Sequence, residues 1–348
     1  MNATTDRSEQ TPERTAARTS VSTTATTAAT ANATASEPKA PEWLATRERS
    51  NRVALRLMAW IATTLGRRFA RALLHPITLY FLLFAPAAQR HSRRYLTRAL
   101  GRPARVADRY RHIHSFASVV LDRIYFARGQ MQRFELGVEG GPLVDDTLAL
   151  GRGGFLIGAH FGSFEALHAI GATRPGMRVA HVMYPDNARL IHATLQALAP
   201  QFEMSIIEIG SAGSTLAIRD WLDDGGLVGL LGDRWLPTTH GRDSSRGGIV
   251  ELPFLGQPAR FIDGPLRLAM LLKRRVLFMA GPYLGGNRYD LRFEVLADFT
   301  DVPREAAARE AAVAAAVAAY VARLEALCRE APYNWFNFFD FWDEERAA

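Results

Sequence analysis

Residues 154–165 read GFLIGAHFGSFE, and this stretch decides how the rest of the chain is interpreted. It begins with an apolar run, 154–159, of the length that is typical of a buried strand. His160 follows this run directly, Gly162 permits a tight turn, and Glu165 stands at the start of an amphipathic segment. The stretch therefore predicts a strand, a turn that carries an imidazole, and a helix with a carboxylate in its first turn.

Apolar runs of similar length recur along the chain and alternate with amphipathic stretches. Further strands are expected at 178–184, 205–210, 227–232, 275–281 and 289–297. Helices are expected at 163–171, 188–199, 214–224, 263–273 and 304–330. Strands that are separated by helices of crossover length favour a parallel sheet covered by helices. The predicted fold class is α/β, with a mostly parallel, helix-flanked sheet.

The composition of the chain divides it into three regions. Residues 1–41 are rich in Thr and Ala and contain no Leu or aromatic residue, so we expect a disordered tail. Residues 42–135 are expected to form a basic, apolar, helical region, since 42–133 alone carries 18 arginines against four acidic residues. Residues 136–343 are expected to form the α/β domain, including an aromatic C-terminal segment. A cationic region rich in apolar residues indicates an anionic surface as its partner.

A charge-free run inside the helical region raises the question of a membrane. Residues 72–88 (ALLHPITLYFLLFAPAA) contain no Asp, Glu, Lys or Arg, and arginines lie on both sides of them. Their length is short for a membrane-spanning helix, which needs about 20 residues. The run could span the membrane, or it could belong to a buried helical pair of a soluble protein. We favour an interfacial anchor on anionic lipid, because the flanking arginines suit lipid headgroups.

Several classes of site are excluded by what the sequence lacks. The single cysteine, Cys328, excludes an intramolecular disulfide and a cysteine-cluster zinc site. The two lysines, Lys39 and Lys273, do not follow a glycine, so there is no P-loop. The G-x-S-x-G elbow and the H-E-x-x-H zinc motif are absent as well, and no metal site is expected. Nucleic acid is not an expected partner, since the arginines lack the aromatic interleaving of an RNA-binding sheet.

His160 and Glu165 have the residue types of a general base and of the group that orients it. Glu165 would accept a hydrogen bond from one ring nitrogen and leave the other nitrogen as the base. This pair resembles that of a serine hydrolase without the nucleophile, so it suits reactions in which a substrate hydroxyl is the nucleophile. The alternative is an ordinary loop histidine followed by a solvated helix glutamate.

The stretch GAHFGSFEALHAIG (158–171) resembles the H-x-x-x-x-[DE] signature of the lysophospholipid acyltransferase superfamily. More narrowly, the chain resembles the lipid A biosynthesis (late lauroyl/myristoyl) acyltransferase family. Three more matches follow in order, and the resemblance covers roughly 50–343. They are Gly232-Asp233-Arg234 after a strand, ELPFLGQPARFIDGPLRLA (251–269), and the terminal APYNWFNFFDFW (331–342).

The resemblance implies transfer of a fatty acyl chain from an acyl carrier protein or coenzyme A thioester to a hydroxyl of a lipid or glycolipid. It implies a location at the cytoplasmic face of the bacterial inner membrane, peripheral or held by a single anchor, with no cofactor and no metal. His160 would be the base and Glu165 its orienting group. Asp233 would orient the acceptor or the base, and Arg234 would hold a phosphate or the phosphopantetheine, unless it forms a structural ion pair.

Two further points bear on this interpretation. Many lipid A acyltransferases have an arginine shortly after the third strand, whereas this chain reads Ile207-Glu208-Ile209 there, which weakens the case for lipid A as the acceptor. The aromatic segment that includes Trp335 either lines an acyl groove, meets the membrane or packs on the core. The alternative function is a non-catalytic lipid-binding protein of the membrane surface with the same fold.

Overall fold

A computed structural model describes residues 58, 60–172, 177–185, 187–189, 204–210, 213–234 and 248–342. The tail expected at 1–41 lies outside these residues, as does most of the helix expected at 188–199. The other strands and helices expected from the sequence are found within a few residues of their predicted bounds.

Among the described residues, eight strands form one sheet, and two more form a separate hairpin. The strands are β1 (Glu135–Glu139), β2 (Gly154–Gly158), β3 (Val179–Met183), β4 (Ser205–Glu208), β5 (Leu227–Leu231), β6 (Ile249–Phe254), β7 (Gln257–Ile262), β8 (Arg275–Ala280), β9 (Tyr283–Gly285) and β10 (Arg288–Asp298). The order in the sheet is β1-β10-β8-β2-β5-β3-β4, and β9 pairs with β10. The hairpin of β6 and β7, like β1 and β9, was not expected from the sequence.

The sheet is mixed but mostly parallel, and the predicted α/β class is confirmed. β8, β2, β5, β3 and β4 run parallel to one another. β10 runs antiparallel to β8, because the short connection through β9 turns the chain back without a crossover helix. β1 pairs parallel to β10 at the edge.

Helices lie before, between and after the strands. They are α1 (Gly66–Phe84), α2 (Pro86–Leu100), α3 (Val106–Ala127), α4 (Gly141–Ala149), α5 (Phe164–Ala172), α6 (Ser214–Asp223), α7 (Gly264–Leu271) and α8 (Ala306–Glu330). The local sequence sets several of these ends. α2 starts at Pro86, where the missing N–H costs nothing, and stops at Gly101 in the left-handed conformation. α3 starts where the Asp108 carboxylate accepts the N–H of Arg105.

Both faces of the sheet are buried against helices. Phe155 and Ile157 of β2 belong to one hydrophobic cluster, together with residues of α2 and α8. Leu156, between them, belongs to a second cluster together with residues of α3. A strand that is apolar on both faces is what a covered parallel sheet requires. The helices of the 42–135 region therefore contribute to the same cores as the sheet.

The charge-free run at 72–88 does not form one straight helix. Pro86 ends the run of α1, and the axes of α1 and α2 meet at 96°. By length and composition alone, one helix of the described residues could cross a membrane, namely α8, and the bent pair of α1 and α2 would be a second if it formed one span. α8 has one face in the core, including Val317, Tyr320 and Leu324.

α1 has a buried face and an apolar exposed face. Ala70, Leu74 and Thr78 are buried at helical spacing. The opposite face, together with Leu65 immediately before the helix, leaves large apolar side chains exposed at the same spacing, and we call this set the α1 stripe: Leu65, Phe69, Leu79, Tyr80, Leu83 and Phe84. Exposed apolar surface of this kind is typical of interaction sites.

Candidate active site

His160 and Asp233 follow two neighbouring parallel strands, at the carboxyl ends of both. β2 and β5 pair in a register that sets Gly158 opposite Leu231. Continuing this register by two residues brings His160 opposite Asp233, although 73 positions separate them in the sequence. This edge of an open α/β sheet is where ligand sites lie.

Asp233 is buried and binds three hydrogen-bond donors. The backbone N–H of His160 donates to Oδ2 over 3.0 Å, and the indole N–H of Trp335 donates to the same oxygen over 2.9 Å. Nδ1 of the His160 ring lies 2.8 Å from Oδ1. Because a carboxylate can only accept, Nδ1 carries the proton and Nε2 has the lone pair. Within the described part of the chain Nε2 has no hydrogen-bond partner, and 31% of the His160 side chain is exposed.

The surroundings fix the ionisation of this pair. Burial opposes ionisation of Asp233, but His160, Arg234 and the indole of Trp335 outweigh it and hold the pKa of the carboxyl well below its usual range. Burial lowers the pKa of His160, and the positive charges of Arg234 and Arg123 lower this pKa further, against the effect of Asp233. At neutral pH the site therefore contains a carboxylate and a neutral imidazole.

Glu165 does not lie where the sequence analysis expected it. Its carboxylate forms an ion pair with Arg123 of α3, with Oε1 2.5 Å from Nε, and the carboxylate that hydrogen-bonds the imidazole is that of Asp233. The reason is the direction of α5, which starts after the turn and carries Glu165 toward α3. Glu165 therefore offsets the charge of Arg123, which is itself close enough to lower the pKa of His160.

Backbone hydrogen bonds hold the turn that carries His160. The N–H of Gly162 donates to the carbonyl of Asn334 over 2.9 Å, and the N–H of Ser163 donates to the carbonyl of Gly281 over 2.8 Å. Gly162 has φ +65°, and a Cβ at this position would lie 1.9 Å from the oxygen of Gly281, so only glycine fits. Ser163 is buried and caps α5, since its Oγ accepts the N–H of Ala166 over 3.1 Å.

The aromatic C-terminal segment packs against the turn that carries His160. Trp335 pairs with Phe161 in a β-bridge, and the N–H of Phe336 donates to the carbonyl of His160 over 2.8 Å. Trp335 and Phe341 are buried in the core, so this part of the segment packs as a plug. Phe336 and the exposed Phe116 of α3 have their ring centroids 5.2 Å apart. Aromatic packing therefore continues from the core to the backbone of His160.

The structure brings together three of the four residues expected at the site. His160 and Asp233 are in direct contact, and Arg234 acts on both through its charge while its guanidinium lies over the ring of Phe339, 5.2 Å from the centroid. Glu165 is nearby but is paired with another residue.

The sequence analysis named Trp335 only as part of the aromatic segment and did not relate it to Asp233, and it did not single out Arg123. Trp335 is one of several aromatic residues in a short run, and Arg123 is one of many arginines in the helical region. Neither has a spacing that relates it to His160. For Asp233 a signal was present, because it follows the end of its strand by the same two positions as His160 follows the end of β2.

Comparison with known proteins adds no further information about this site. No family model matches the chain, and no curated protein matches it. The described residues contain no group of three or more His, Cys, Asp or Glu side chains that could hold a metal ion. A function is therefore inferred from the geometry of the site together with the motifs of the sequence.

Proposed function

We propose that this protein is an acyltransferase that moves a fatty acyl chain from a carrier-protein or coenzyme A thioester to a hydroxyl of a lipid or glycolipid. The observation that supports this most is the His160–Asp233 pair, in which a buried carboxylate fixes the proton on Nδ1 and leaves Nε2 as the base. The resemblance of the motifs around both residues to those of lysophospholipid acyltransferases supports the same function and a sheet of that type.

The reaction follows from the protonation state of this pair. Nε2 of His160 takes the proton of the acceptor hydroxyl as its oxygen attacks the carbonyl carbon of the thioester. Asp233 stabilises the imidazolium that forms. The tetrahedral intermediate then collapses, the carbon–sulfur bond breaks, and the imidazolium returns its proton to the leaving sulfur. The products are an ester and a free thiol, and the histidine is again neutral.

Neighbouring groups support direct transfer to the acceptor rather than an acyl-enzyme. Ser163 is the closest serine along the chain, but it is buried and its oxygen caps α5. The positive charges of Arg123 and Arg234 lie close enough to affect the imidazole and would also favour the oxyanion of the intermediate. Arg234 is the group we assign to a phosphate of the donor's phosphopantetheine or of the acceptor.

The substrates of such an enzyme are amphiphiles, and the α1 stripe provides a surface for the membrane that contains them. α1 is covered by α3 on its buried face, so lipid can reach only the opposite side. A helix that is half covered and half apolar fits the interface of a membrane better than its interior. We therefore propose that α1 lies along the surface of an anionic membrane, at the cytoplasmic face, with the acyl donor reaching the site from the cytosol.

Transfer can be tested directly with the full-length protein in anionic vesicles. The donors are radiolabelled lauroyl and palmitoyl thioesters of coenzyme A and of an acyl carrier protein, and the acceptor is a total bacterial lipid extract. We expect label to appear in a lipid ester, and we expect His160→Ala to lower this rate by about 10²–10⁴ because the general base is lost.

A matched control is His75→Ala, which removes a histidine of α1 that packs against Tyr110 and His114 of α3 and belongs neither to the α1 stripe nor to the site. This variant should keep the wild-type rate. Absence of transfer with every donor, or equal transfer by wild type and His160→Ala, would favour the non-catalytic lipid-binding protein instead.

A further inference from the structure

Trp335 connects the helical region to the His160–Asp233 pair. Its indole N–H donates to Oδ2 of Asp233, so it holds the carboxylate on the side opposite to the imidazole. Its backbone carbonyl oxygen lies 2.8 Å from Nε2 of His112 on α3. Nδ1 of that histidine lies 2.8 Å from the hydroxyl of Ser92 on α2.

The protonation of His112 follows from its partners. The carbonyl oxygen of Trp335 can only accept a hydrogen bond, so Nε2 of His112 carries the proton. Nδ1 of His112 then accepts a hydrogen bond from the hydroxyl of Ser92. Burial lowers the pKa of His112 to about 4, so the ring is neutral at physiological pH. A neutral, fully buried imidazole with both nitrogens bonded is a rigid support for the backbone of Trp335.

We infer that Trp335 is a positioning residue for the base His160. Its indole N–H fixes the Asp233 carboxylate, and its own backbone is held by His112 of the helical region. The inference rests on the proposed function, and it adds a residue that the motif around His160 does not contain. Trp335 would affect the reaction only through its hydrogen bond to Asp233, which in turn holds His160, so it is not a catalytic residue.

Loss of the indole N–H has two consequences for the base. The Asp233 carboxylate keeps only one donor on Oδ2 and can rotate, so the fraction of His160 with the proton on Nδ1 falls. The carboxylate also retains more negative charge, which favours the imidazolium and raises the pKa of His160. A purely structural role for Trp335 in the core would change neither quantity.

Other charged and titratable groups face this pair and stay in place in the variants. They are Arg234 after β5, Arg123 on α3 with its partner Glu165 on α5, and Tyr320 and Cys328 on α8. The measured shift can therefore be assigned to the one hydrogen bond that is removed.

The test replaces the indole N–H in two ways in the full-length protein. Trp335→Phe removes it together with part of the ring. Incorporation of benzothienylalanine at 335 keeps the bicyclic shape and replaces the N–H by sulfur, so it remains informative if Trp335→Phe does not fold. The readouts are the pH profile of kcat with the acyl thioesters above, and the tautomer and pKa of His160 from NMR of ¹⁵N-labelled histidine.

For both variants we expect kcat to fall about 10-fold with little change in KM. We expect the pKa of His160 to rise by about half a pH unit, and the acid limb of the kcat profile to move to higher pH by the same amount. Trp342→Phe is the matched control, because the N–H of Trp342 is buried without a hydrogen-bond partner among the described residues. Its ring lies edge-on to that of Trp335, with 6.2 Å between the centroids, so the change alters the packing around Trp335 but not its hydrogen bond to Asp233. This control should change none of the readouts.

An isostere variant with wild-type kcat, pH profile and His160 tautomer would overturn the inference. The NMR readouts need no substrate, so they separate this result from a failure of the proposed function. If no donor is accepted but the pKa and tautomer of His160 still respond to the loss of the Trp335 N–H, the positioning role stands and the acyl-transfer proposal falls.

Discussion

Asp233 and Glu165 are two carboxylates close to one imidazole, and their different partners give them different expected roles. Oδ2 of Asp233 is occupied by the N–H groups of His160 and Trp335. In Asp233→Asn, the amide oxygen would stay with these two donors and the NH₂ would face Nδ1 of the ring. The imidazole would then carry its proton on Nε2, which is the wrong tautomer for a base. We expect kcat to fall about 10³-fold with KM nearly unchanged, measured in the vesicle assay.

Glu165→Gln is the matched isosteric change at the second carboxylate. It leaves the hydrogen bonds of His160 and Asp233 intact, so we expect less than about a fivefold change in kcat. It also removes the negative charge that offsets Arg123, and the uncompensated guanidinium should lower the pKa of His160 further. The acid limb of the pH profile should therefore move to lower pH. A loss of turnover as large as that of Asp233→Asn would contradict this assignment.

At the scale of single elements, the turn between β2 and α5 depends on one glycine. Gly162→Ala combines a left-handed backbone with a methyl group placed against the carbonyl of Gly281. We expect a loss of at least about 2 kcal/mol in the free energy of unfolding, measured by urea denaturation.

Gly101→Ala is the control for this substitution, because Gly101 has φ +64° but nothing within 4 Å of the added methyl group. It should cost only about 1 kcal/mol, the strain of the left-handed conformation alone. Equal costs for the two variants would show that the close approach to Gly281 contributes nothing.

The α1 stripe is the element expected to contact lipid. In Leu79→Glu/Leu83→Glu, two side chains that are 49% and 63% exposed become charged, so folding should be unaffected. Each apolar leucine contributes on the order of 2 kcal/mol when it is buried in lipid. We expect binding to anionic vesicles, measured by sedimentation, to fall at least about 10-fold.

The same change at an exposed leucine elsewhere on the surface provides the comparison. Leu271→Glu alters a leucine that is 73% exposed at the end of α7, and it should leave vesicle binding at the wild-type level. If the α1 variant also binds like wild type, the proposed contact between the α1 stripe and lipid is wrong.

At the scale of the whole molecule, buried histidines link stability to pH. Burial lowers the pKa of His112 to about 4, whereas the unfolded value is near 6.5. The unfolded state therefore binds more protons than the folded state between these two pH values. The contribution of His112 to the free energy of unfolding is fully present above about pH 6.5 and is lost as the pH falls toward 4. Burial acts in the same direction on His114, whose pKa is also lowered to about 4.

We expect the free energy of unfolding to fall by about 2 kcal/mol between pH 7 and pH 5 from His112 alone. The measurement is urea denaturation of wild type and His112→Gln across this range. The glutamine amide can still donate to the carbonyl of Trp335 but does not titrate, so the variant should show a weaker dependence on pH. Identical slopes for the two proteins would mean that His112 is not buried as a neutral ring.

The sequence by itself determined where most strands and helices form and which titratable side chains follow the ends of the strands. Apolar runs and amphipathic stretches placed the strands and helices of the α/β fold, because hydrophobic periodicity is a local property. The position of His160 on a turn after a buried strand was predictable in the same way. The antiparallel β10 and the hairpin of β6 and β7 were not, because strand pairing depends on contacts between distant segments.

Only the tertiary structure decided which carboxylate contacts the imidazole of His160. Glu165 is five positions from His160, but α5 directs it to Arg123. Asp233 is 73 positions away, yet the register between β2 and β5 places it beside the imidazole. Trp335 reaches the same carboxylate from the far end of the chain. Strand order, register and helix direction result from the packing of the whole core, so spacing along the sequence could name the candidates but could not pair them.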